Sequence, residues 1–247
     1  MQGDMTVNHS KIQVRKFLTC ILLFAILGLP ETTAAQGDIF PVGYARTYTE
    51  QESRPRFDEL LAQYGINKQL PEGFELQALL ALSHYPQLRE TKINFIVEDV
   101  SIPLSSRPHW SGMLRSAKKR IYQVIIDSQP EGSSNALLLK NQPFNAQIGI
   151  IGHELAHTAY YLQRSFFGIA ADALCQLSNC RIGFERNTDK RLIDHGLGWQ
   201  RLDHATFVRG RIFQDRASAF TAEGGGGAYM SPARLLQILQ EHDSYKE

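Results

Sequence analysis

Five side chains in this sequence have the types and spacing to hold and use a metal ion. The run Gly152-His153-Glu154-Leu155-Ala156-His157 reads HExxH. On an α-helix residues four apart share a face, so His153 and His157 can offer two imidazole nitrogens to one ion. Glu154 projects about a quarter-turn away, beside the ion, where a general base for an activated water must sit. The stretch 146–162 around the motif is apolar, with Ile148, Ile150, Ile151, Leu155, Ala159 and Leu162 leaving little of the helix to face water. Buried histidines and a buried glutamate need partners, and a metal supplies one. Gly149 and Gly152 weaken a helix intrinsically. Their presence predicts that a second element packs close against this one.

A zinc site needs a third protein ligand. The metzincin extension requires Gly at position 160 and His or Asp at 163, where this chain has Tyr160 and Gln163. A downstream glutamate on a second helix is the other common solution, and the segment 183–196 supplies it. Phe184, Thr188, Leu192 and Ile193 have helical spacing, and Gly196 stands where a C-terminal cap belongs. Glu185 and Asp189 are four apart, hence on one face. Glu185 can ligate the ion while Asp189 accepts a hydrogen bond from the back nitrogen of a ligand histidine.

HELAH followed by ExxxD on a later helix resembles the gluzincin metallopeptidases. Among them it looks most like the CAAX-prenyl-endopeptidase type, whose second helix carries a similar Glu-x-x-x-Asp signature. The resemblance covers residues 74–200 in order of elements and is close only at the two motifs. It implies that His153, His157 and Glu185 bind zinc, that Glu154 is the catalytic base and that Asp189 supports a ligand. The chain departs from that type in lacking its multiple membrane-spanning helices, and in having Asn187-Thr188 where an Ala-rich pair is common before the aspartate.

The amino terminus bears on compartment. Lys11, Arg15 and Lys16 precede an apolar run, Phe17 to Leu29, which Pro30 ends before the small residues Thr33-Ala34-Ala35. This pattern predicts a signal peptide over 1–35 and an exported protein, periplasmic or secreted. An uncleaved anchor is the alternative, and the run is short for spanning a bilayer. No later segment is apolar enough to span, so the mature chain is expected to carry no integral membrane segment. The whole sequence has 26 basic and 25 acidic residues. Without 1–35 it has 23 of each, a balance that gives no support for nucleic-acid binding. Cys175 and Cys180 remain in the mature chain, an even pair in an exported protein, and predict a disulfide. Such a bond requires the helix between them to end near Ser178-Asn179, because residues five apart in one continuous helix point too far apart.

The rest of the pattern predicts an α+β domain over 55–247, zincin-like, with a small sheet packed on the HELAH helix and the glutamate helix following it. Residues 36–54 read as a loose terminus. Helices are expected at 56–64 and 71–83. Strands are expected at 92–98 and 120–127, with a short third one at 136–139 and a loop at 105–112. An apolar connector spans 166–177, and Gly224 to Gly227 form a loop. A last helix begins at Ser231-Pro232. The strand Ile121–Ile126 is the expected sheet edge for holding an extended peptide. His204 is the expected transition-state donor, with Tyr229 and His195 as alternatives. The expected function is a zinc endopeptidase acting on a peptide or protein substrate. Two alternatives stand beside it: a non-catalytic envelope protein retaining a structural zinc site, and a zinc amidase acting on a non-protein substrate.

Overall fold

The computed structural model describes residues 44–129, 135, 137–176, 180–213, 221 and 228–246. The expected signal peptide and the glycine loop 224–227 lie outside them. From Tyr44 onward the segment read as a loose terminus is held in place. Tyr48 N–H donates to Asn145 Oδ1 (2.9 Å), and a helical turn at Glu50–Ser53 is capped by the Thr49 hydroxyl.

Helix α1 (Phe57–Tyr64) ends at Gly65, as the sequence indicates. Helix α2 (Glu75–Ser83) starts later than the apolar pattern, because Pro71 to Gly73 form a turn in which Gly73 takes a left-handed φ of 79°. Strands β1 (Lys68–Gln69), β2 (Lys92–Glu98), β3 (Leu104–Pro108) and β4 (Ile121–Asp127) make one sheet in the order β1-β2-β4-β3. β1, β2 and β4 run parallel, and β3 lies antiparallel to β4.

Two strand expectations are corrected here. β4 is interior, paired on both sides, and the edges are β1 and β3. Val124 to Asp127 are all buried, the continuous burial of a covered central strand. β3 escapes sequence reading because Ser105, Ser106, Arg107 and Pro108 have little strand propensity, while an edge tolerates serine and a terminal proline. Of the short strand expected at 136–139, the described residues 137–139 form none. Leu139–Asn141 is a 3-10 turn, and Leu138 and Leu139 are apolar because they are core residues.

Helix α3 (Phe144–Tyr161) carries HELAH and is buried from Asn145 to Ala159. The expected connector is itself a helix, α4 (Phe166–Gln176). It is followed by α5 (Arg181–Asp194), α6 (Gly198–Ile212) and α7 (Pro232–Glu241). Ser231 caps α7 through its hydroxyl on Arg234 N–H, as expected. Cys175 and Cys180 form a disulfide with Cα atoms 5.4 Å apart; the helix end expected near Ser178-Asn179 lies outside the described residues. This is a mixed α+β arrangement in which α2, α5, α6, β3 and β4 all pack on α3. Among the described residues no helix is long and apolar enough to cross a membrane.

The two glycines of α3 have the reason the sequence suggests. A Cβ at Gly149 would run into the backbone carbonyl of Gln200 on α6, and one at Gly152 into the Leu197 side chain. Backbone cannot step aside as a side-chain tip can. Gly149→Ala is therefore expected to cost about 1–3 kcal/mol by forcing α3 and α6 apart, although alanine is the better helix former. Urea denaturation measures this, and an unchanged or raised midpoint would contradict the packing.

Candidate metal centre

The site is made where α3 and α5 cross. α3 presents His153, Glu154 and His157, whose donor atoms lie within 4.8 Å of one another, a buried group that could hold a metal ion. α5 turns Phe184, Glu185, Thr188 and Asp189 toward it, all buried. Glu185 Oε2 lies 3.1 Å from His153 Nε2 and 3.2 Å from His157 Nε2. Phe184 stacks on the His157 ring with centroids 5.2 Å apart.

The back nitrogens are fixed as well. His153 Nδ1 donates to Asp189 Oδ1 at 2.9 Å. Thr188 Oγ1 donates to the Phe184 carbonyl and so can accept from His157 Nδ1 at 3.3 Å. A neutral imidazole has one N–H. When the rings are neutral, Nδ1 as donor leaves both Nε2 lone pairs on the Glu185 side, free to meet an ion. The sequence shows Thr188 only as one of the helically spaced residues of this segment.

Asp189 does more than orient His153. It is fully buried, and its Oδ1 also accepts from Arg201 Nε on α6 at 2.7 Å. Its Oδ2 accepts from Met230 N–H at 3.2 Å, tying in the segment that leads to α7. Arg201, 2% exposed, was missed in the sequence. The signal was there: Leu197, Arg201, Ala205 and Val208 share one helical face, and an arginine in an apolar face needs a buried acid.

Beside Glu154 opens a cavity of about 330 Å³. Its walls include Ile150, Leu137, Val208 and Met230, together with Arg201, His204 and Tyr229. His204 thus borders the same cavity as Glu154. Its Nδ1 lies 2.7 Å from Gln142 Oε1, and the Gln142 amide is oriented by donation to the Leu137 carbonyl. Burial, with Arg201 nearby, holds His204 well below the usual histidine range and hence neutral. A neutral imidazole donating from Nδ1 keeps only an acceptor at Nε2. Tyr229 packs edge-on to His153, centroids 5.4 Å apart, and burial raises its phenol so that it retains its proton. His195 caps α5 and stacks on Tyr85; it does not line the cavity.

Burial pushes the Glu154 carboxyl up, an effect partly offset by His157 and His153. For Glu185 and Asp189 burial also acts upward, but the histidines, and Arg201 beside Asp189, overcome it and hold both well below the usual range. Comparison with protein-family models, with curated proteins and with solved structures finds no match to this chain.

In the metal-free protein His153 is raised to about 9: burial opposes its charge, and its hydrogen bonds to Asp189 and Glu185 outweigh that. A histidine raised in the folded state contributes stability fully present below its ordinary value of 6.5 and lost as pH rises through the folded one. Metal-free protein is therefore expected to lose stability as pH is raised from about 7 to 8, above most of the range in which the lowered His84 and His204 act in the opposite sense. Beyond that Lys68, lowered to about 8 by burial, acts in the opposite sense. Denaturation midpoints of chelator-treated protein across this interval decide it. Constant or rising stability would contradict the protonated His153.

Proposed function

We propose that this chain is a zinc-dependent endopeptidase of gluzincin type. The observation that carries the reading is Glu185 Oε2 lying at nearly equal distance from both HExxH Nε2 atoms. Three donors bound to one zinc at about 2.0–2.2 Å in tetrahedral geometry stand about 3.4 Å apart, close to the observed spacing. Two imidazoles and one carboxylate are a donor set suited to zinc that leaves a position open for water. His153, His157 and Glu185 would hold the ion, and Asp189 and Thr188 would orient the two rings. Zinc bound there would supply Lewis acidity toward a carbonyl oxygen and lower the pKa of a water.

The chain's own groups do the remaining work. Glu154, raised by burial yet flanked by two histidines, takes the proton from the attacking water. The water oxygen bonds to the carbonyl carbon, the C–N bond breaks, and Glu154 hands the proton to the departing amine. The apolar walls of the adjoining cavity exclude solvent and fit an apolar substrate side chain. Tyr229, which keeps its proton and borders the cavity, is the better donor to the developing oxyanion; the sequence favoured His204, whose Nε2 can only accept. The disulfide supports export, since such bonds persist in oxidising compartments. A purely structural zinc would be closed by four protein ligands and would have no use for Glu154 or the cavity.

Glu154→Gln should fold, retain zinc and cleave a peptide library at least about a hundredfold more slowly. Wild-type rates in that variant would defeat the mechanism. If both proteins hold zinc and neither cleaves any peptide, the non-catalytic or non-peptide readings replace this one. Tyr229→Phe should lose about a hundredfold in kcat with KM little changed. An unaltered kcat would remove Tyr229 from the site.

A further inference from the structure

The connection between β3 and β4 carries an interaction surface that the metal site does not use. From Val100 to Ile126 the sequence holds no aspartate or glutamate, yet it contains Arg107, Arg115, Lys118 and Lys119, all exposed. None of these four forms an ion pair with an acid among the described residues; Arg107 lies over the Trp110 ring at 5.7 Å. Between them Trp110 is 68% exposed and Leu114 is 84% exposed.

The backbone of this connection is pinned, so the exposure is built in. His109 N–H extends the ladder by donating to the Ile121 carbonyl at 2.8 Å. The buried Arg120 holds the loop from inside, donating from Nε to the Met113 carbonyl (3.3 Å) and from a terminal nitrogen to the Arg164 carbonyl (2.7 Å). Tyr122 Oη–H donates to the Ala117 carbonyl at 3.2 Å. With Gly112 and Met113 turned inward, Trp110 and Leu114 are held outward. An indole and an aliphatic side chain among unpaired cations match the two layers of an anionic bilayer surface: phosphates outside, acyl chains beneath. A polyanion such as RNA would satisfy the cations but would give Leu114 nothing to enter.

We propose that the β3–β4 connection docks this protein on anionic phospholipid membranes, with Trp110 and Leu114 entering the interface and Arg115, Lys118 and Lys119 meeting the headgroups. Because β3 is a sheet edge and is joined to α3 by Ser106 Oγ and Thr158 Oγ1 at 2.7 Å, docking would set the HELAH helix close to the bilayer.

The test is co-sedimentation of the full chain with phosphatidylcholine vesicles, with and without phosphatidylserine. Residues 17–29 are apolar, so the comparison among variants carries the result. The wild type should bind the phosphatidylserine vesicles more tightly, and less so as salt is raised. Lys118→Glu/Lys119→Glu should bind them about tenfold to thirtyfold more weakly. Trp110→Ala/Leu114→Ala should bind at least about tenfold more weakly. All these positions are exposed, and circular dichroism should show unchanged folding. Equal binding by wild type and both variants, or indifference to phosphatidylserine, overturns the proposal. So does tight binding of a single-stranded RNA by wild type and Leu114→Ala alike when neither binds the vesicles.

Discussion

A single buried carboxylate holds the centre of this fold together. Asp189 has no contact with solvent and satisfies three donors, one each from α3, α6 and the segment before α7. Such a charge is tolerable only while its partners stay in place, and removing one typically costs 3–5 kcal/mol. The same bonds that stabilise it fix the His153 ring and its tautomer. In this structure the hydrogen bonds that satisfy buried Asp189 include the one that holds His153 toward Glu185.

The second constraint is the burial of α3. A helix buried on nearly all sides cannot leave His153, Glu154 and His157 to water, so neighbouring helices must complete them. α5 does so with Glu185 and Thr188, and α6 approaches at Gly149 closely enough to bring Arg201 behind Asp189. A cavity opens in the wall around α3 beside Ile150 and Glu154. The site thus has a floor of fixed donors and an apolar mouth, which suits chemistry better than storage of an ion.

Much of this was legible in the sequence, for reasons that can be named. HExxH and ExxxD bring chemistry-bearing side chains to one face at helical spacing, and polar groups in apolar helices predict their own meeting. The two glycines announced a close neighbour because they weaken a helix without other benefit. Cys175 and Cys180, an even pair in a chain expected to be exported, announced the disulfide that forms. What escaped was whatever depends on tertiary context. β3 is polar, ends in proline and forms only because β4 offers it a free side. β4 looked like an edge, and its position was set by partners on both sides that no local pattern reveals. Arg201 hid in an apolar helical face. The neutral state of His204 follows from burial beside Arg201, and its tautomer from Gln142, sixty-two residues away.

The central claim is that Glu185 completes a metal centre with His153 and His157. Zinc titration of chelator-stripped protein by calorimetry tests it most directly. Wild type should bind one equivalent. Glu185→Ala, folded by circular dichroism, should bind more weakly by more than the roughly 10–100-fold that losing a supporting partner costs. One equivalent bound by Glu185→Ala with wild-type affinity would contradict the account.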